Sequence, residues 1–60
     1  MSKDPDFVPV PEAARRLSIG LTLAWRMVRD GTLGSRRFGR AVRVPVREIE
    51  RLAAEAAAAN

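Results

Sequence analysis

Two short helical periods only three residues apart, a basic alternating stretch folded over Gly39-Arg40, and a third helical period behind Pro45 predict a mainly α domain with a small β-hairpin. Residues 1–6 are polar and are expected as a disordered lead. A single packed domain is then expected over 7–60, starting at Phe7-Val8. Val10, Ala13, Ala14 and Leu17 recur at i, i+3, i+4 and i+7, which places them on one helical face. Pro11 suits the first helical position and Glu12 complements the dipole there, so the spacing predicts a helix from about Pro11 to Leu17.

Ser18-Ile19-Gly20 breaks this period in three residues, the length of the turn between two steeply crossed helices. A second helix is predicted from Leu21 to about Asp30, ended by Gly31 where a left-handed residue is wanted. Leu21, Ala24 and Val28 form its expected core stripe, widened by Leu23 and Met27. Thr22, Arg26 and Arg29 lie on the other side, at i, i+4 and i+7, with Trp25 beside them.

From Gly34 the period alternates. Arg36 to Phe38 and Ala41 to Val44 read as two strands, with glycine first in a two-residue connection as a type II′ turn prefers. Val42, Val44 and Phe38 are expected in the core, Arg43 away from it, and Arg40 at the hairpin tip. Pro45 ends the second strand and can open the last helix, whose expected buried stripe is Ile49, Leu52, Ala53 and Ala56. Arg47 with Glu50 and Arg51 with Glu55 stand at pairing distance along it, each pair worth a few tenths of a kcal/mol. This order of parts is that of a winged helix-turn-helix: helix-turn-helix, two-stranded wing, C-terminal helix.

Charge points the same way. The chain carries ten arginines and one lysine for a net charge of +4, and six of the arginines fall between Ser18 and Val44 against Asp30 alone. Such a field on a small domain is the footprint of a polyanion-binding protein. With no cysteine, histidine or tyrosine, the chain lacks the usual metal ligands, a disulfide framework and a tyrosine nucleophile. The serines Ser2, Ser18 and Ser35 have no histidine to activate them, so an enzyme is not expected, nor a metal, cofactor or small-molecule ligand. No apolar run approaches the roughly 20 residues of a membrane span, and a cytoplasmic protein is expected.

A recognition helix in the major groove presents its outward side chains to base edges. Arg26 is the expected base reader, since a guanidinium meets guanine O6 and N7 bidentately. Thr22 is placed to touch a thymine methyl or a phosphate, while Arg29 and Arg43 are expected at backbone phosphates. Arg40 is shaped for insertion into a narrow minor groove. Trp25 has two readings, a partly buried core plate or an indole donor to phosphate at the groove edge. Arg15, Arg16, Arg47 and Arg51 are read as solvated surface charge.

The stretches Val10 to Ile19, Trp25 to Gly31 and Arg37 to Pro45 resemble the MerR-type winged-helix domains of phage excisionases and small excisionase-like regulators. The shared elements are Glu12-Ala13-Ala14, the Arg26, Arg29, Asp30, Gly31 helix end, and the Gly39, Arg40, Arg43, Val44, Pro45 wing, and the resemblance spans about Val8 to Leu52. Many relatives carry Ser or Thr where Gly20 stands, so the second helix is expected to be weakly capped.

The resemblance implies a DNA-binding architectural protein, a phage excisionase, whose copies line up head to tail on attachment-site double-stranded DNA, bend it and favour excision by a phage integrase. Thr22, Trp25, Arg26 and Arg29 on the helix and Arg37, Arg40 and Arg43 on the wing are its expected DNA-binding residues. The same fold supports a small transcriptional regulator, and a basic module for an acidic protein partner is a third reading.

Overall fold

The computed structural model describes residues 6–59, so the expected lead over 1–6, apart from Asp6, lies outside the described residues. In chain order the elements are β1 (Phe7–Pro9), α1 (Val10–Leu17), α2 (Leu21–Asp30), β2 (Arg36–Phe38), β3 (Ala41–Pro45) and α3 (Val46–Ala59). They build the winged helix-turn-helix that the spacing predicts, with one addition. The wing is a three-stranded antiparallel sheet in the order β1-β3-β2.

The added strand comes from the segment before α1. Phe7 pairs with Pro45, Val8 with Val44 and Pro9 with Arg43. Three residues are too few to show alternation, but the pairing buries Val8 to 2% exposure against Val44, which is fully buried. The Asp6 carbonyl then accepts the Val46 amide at 2.9 Å, satisfying one of the free donors at the start of α3. On the other edge Arg36 pairs with Arg43, Arg37 with Val42 and Phe38 with Ala41, leaving Gly39-Arg40 as the turn. Gly39 has φ 64° and Arg40 lacks a positive φ, in keeping with type II′.

The helix-turn-helix rests on the end of α1. Ser18 sits in the left-handed region at φ 58°, its amide donates to the Arg15 carbonyl at 3.1 Å, and the Ile19 amide reaches the Ala14 carbonyl at 3.0 Å. These are the two bonds of a Schellman cap, here built on a serine. α2 starts at Gly20 with no side-chain cap, as its sequence implies, and stops at Gly31 with φ 85°.

The core is Val8, Val10, Ala13, Ala14, Ala24, Leu33, Val44 and Ile49, flanked by half-buried Leu17, Ile19, Met27, Val28, Val42, Val46 and Leu52. Ala13 and Ala24, both at 0% exposure, let α1 and α2 approach closely. Leu33 fills the space under the loop after α2, with its amide tied to the Met27 carbonyl at 3.1 Å.

The structure corrects several expectations for the core and one for the surface. Leu21 and Leu23 are 48% and 41% exposed, because the covered arc of α2 is centred on Ala24 and they lie to either side of it. Phe38 is 51% exposed rather than beneath the wing: its register puts it on the sheet face opposite Val8 and Val44. There it packs edge to face on Phe7, ring centroids 5.4 Å apart. Ala53 and Ala56 are exposed, since the core ends at Leu52 and α3 runs on past it. Arg47 and Glu50 form no pair, whereas the expected Arg51–Glu55 pair is present at 2.8 Å, and Arg51 also bonds Glu48 at 2.8 Å.

Candidate nucleic-acid interface

The ion pairs among the described residues hold three of the ten arginines. Glu12 holds Arg15 at 2.6 Å and Arg16 at 2.9 Å, and Arg51 is held on α3. Among the described residues, the six arginines from Arg26 to Arg43 have no carboxylate partner. No Asp or Glu occurs between Asp30 and Glu48 to supply one. Their charge is therefore uncompensated over the whole of the wing and the outer face of α2. Paired with two guanidinium groups, the Glu12 carboxyl is lowered from 4.5 to about 2, chiefly by the hydrogen bond from Arg15 and then that from Arg16.

α2 presents Thr22, Arg26 and Arg29 on one exposed side. Trp25 is 39% exposed and is not among the side chains packed on the core. Its ring borders an open cleft of about 430 Å³ between α2 and the wing, lined by Trp25, Val28, Arg29, Ser35, Arg36, Arg37 and Val42. Half-buried Val28 and Val42 contribute apolar lining to this cleft, alongside its three arginines. Residues on both sides of the Gly31 to Ser35 loop, Arg29 and Arg37 among them, thus line one concavity, an arrangement suited to a phosphate group.

The structure joins some of the expected site residues and separates others. Trp25, Arg29 and Arg37 meet at the cleft. Thr22 and Arg26 are exposed further toward the start of α2, and Arg40 is exposed at the hairpin tip. Arg43 does not share the cleft. By strand register it shares the sheet face of Phe7 and Phe38, opposite Arg37, and it is half-buried with a guanidinium bond to the Val42 carbonyl at 3.0 Å. Ser35 and Arg36, which are not among the expected DNA-binding residues, also line the cleft; the Arg36-Arg37 doublet is the sequence signal for the second.

No helix among the described residues is long and apolar enough to cross a membrane, and no cluster of three or more His, Cys, Asp or Glu among them could hold a metal ion. A helix-turn-helix packed against a wing, with its recognition helix and hairpin left basic, defines a DNA-binding domain. Comparison with known families agrees: residues 9–57 match the helix-turn-helix domain model. The chain belongs to that family of DNA-binding domains, which includes excisionase-like proteins and is typically non-enzymatic. No curated protein and no solved structure gives a significant match to the chain.

Proposed function

We propose that this domain is an excisionase-type architectural protein that binds attachment-site DNA in several adjacent copies, bends it and assists a phage integrase in excision. The observation that carries the DNA-binding part is the convergence of Trp25, Arg29 and Arg37 on one cleft beside the exposed Thr22 and Arg26. In this reading α2 enters the major groove, Arg26 reads a guanine, and Thr22 touches a thymine methyl or phosphate. Trp25, Arg29 and Arg37 grip backbone at the groove edge, Arg40 reaches into the neighbouring minor groove, and Arg43 adds positive potential from the far face of the wing.

The architectural part is supported by the resemblance of the α1, α2 and wing sequences to excisionases and by the size of the surface. A single short recognition helix with one wing offers few phosphate contacts and modest affinity, so occupancy in this role comes from copies contacting one another along DNA. Such a contact is heterologous and need not close into a ring.

The test begins with selection of bound duplexes from a randomised library, followed by footprinting on DNA flanking the gene. Cooperative protection of repeated sites in attachment-site DNA, with a bend in circular-permutation gels, is the expected result. Independent binding to a single promoter site without bending would instead make the chain a transcriptional regulator. Binding no tighter than that of a cationic peptide, without sequence preference, would leave only a basic protein-interaction module.

A further inference from the structure

Between α2 and the wing runs the loop Gly31 to Ser35, and α3 holds it from below. The Glu48 Oε1 atom accepts the Gly34 amide at 3.0 Å. Both Glu48 carboxylate oxygens also accept from Arg51, at 2.8 and 3.4 Å, and Arg51 donates to the Thr32 carbonyl at 3.4 Å. One carboxylate and one guanidinium on a single helical turn thus bind two backbone groups of the segment that sets where the wing stands relative to α2. The fit is close: a Cβ on Gly34 would lie 2.9 Å from the Glu48 carboxyl carbon. Gly34 is not in the left-handed region, so its lack of a side chain serves this approach and not the backbone.

We infer that Glu48 is a positioning residue for duplex binding: latched to Gly34 and Arg51, it fixes the spacing between the recognition helix and the wing and so holds the cleft open to one phosphate. The duplex-binding part rests on the function proposed above. The Glu48 carboxyl is lowered below its ordinary value, first by the Arg51 hydrogen bond and then by the Gly34 amide, so the latch is engaged at neutral pH.

Trp25, the only tryptophan, lines the cleft and reports on it directly. The experiment measures acrylamide quenching of Trp25 and affinity for a duplex selected from the random library, in wild type, Glu48→Ala, Glu48→Gln, Gly34→Ala and the Glu48→Ala/Gly34→Ala pair. Thermal melting by circular dichroism confirms that each variant is folded. Glu48→Ala and Gly34→Ala are expected to raise Trp25 quenching alike and to weaken duplex binding by roughly tenfold, the scale of one charge-assisted hydrogen bond. The pair should be no worse than either alone, because both changes undo one contact. Glu48→Gln keeps an acceptor for Gly34 and is expected to recover much of the loss.

Unchanged quenching in folded Glu48→Ala, or fully additive effects in the pair, would overturn the latch. If the quenching pattern holds but wild type selects no duplex, the latch stands and the DNA reading falls.

Discussion

Arg29 at the end of α2 and Arg37 in the middle of β2 border the same cleft, although eight positions and a change of secondary structure separate them. If both grip one phosphate, their contributions are coupled. Arg29→Ala and Arg37→Ala are each expected to lower the slope of log affinity against log salt by about 1. The double variant should lose less affinity than the two single losses combined, since a shared partner makes the effects non-additive. Salt titrations of duplex binding on the four proteins check this, and strict additivity would place the two side chains on separate phosphates.

Arg26→Ala should behave differently. Loss of a bidentate guanine contact lowers affinity for the selected site by about 1–3 kcal/mol and relaxes preference at one base pair, leaving random-sequence binding nearly unaltered. Competition titrations with point-mutated duplexes measure it. Equal weakening on selected and random DNA would reassign Arg26 to the backbone.

Leu33 is fully buried under the α2 to β2 loop. Leu33→Ala is expected to destabilise the domain by about 2–5 kcal/mol, enough to unfold much of a small domain at room temperature. Chemical denaturation gives the value. A loss below 1 kcal/mol would mean that the loop collapses freely onto the space.

Ser18 occupies a left-handed conformation that glycine adopts without steric cost. Ser18→Gly should raise stability by roughly 0.5 kcal/mol, whereas Gly31→Ala, at φ 85°, should lower it by about 1 kcal/mol. Opposite shifts in melting temperature are the sign to look for.

The Glu12 carboxyl is the acid-sensitive group of α1. Its pKa in the folded state, about 2, lies below the 4.5 of the free group, so its stabilising effect is complete above pH 4.5 and fades as pH falls toward 2. Because the pair is exposed, that effect is small and shrinks with salt. Carbon-detected titration should show a midpoint near 2 at low salt and a rise toward 4.5 in the Arg15→Ala/Arg16→Ala variant. A wild-type midpoint near 4.5 would show the pairs to be unformed in solution.

The helices and the hairpin turn were legible because each rests on local rules: period and glycine position. Val10, Ala13 and Ala14 follow from the period alone. What the sequence concealed depends on contacts across the chain. Phe7 to Pro9 is too short to alternate, and it becomes a strand only because β3 offers an edge and the core has room for Val8. Leu33 lies in a loop with no period to mark it. The sheet face of Phe38, and with it that of Arg43, depends on register, which a one-residue shift would invert. Glu48 looks like one more surface charge until its reach to Gly34 is seen.

The pairing of Val8 with Val44 bears on how the domain can be isolated. A fragment trimmed to residues 9–57 would discard a side chain only 2% exposed and strip the outer edge of β3. Its bare backbone donors and acceptors would be open to another chain's strand, so such a fragment would tend to aggregate, and expression boundaries belong before Asp6.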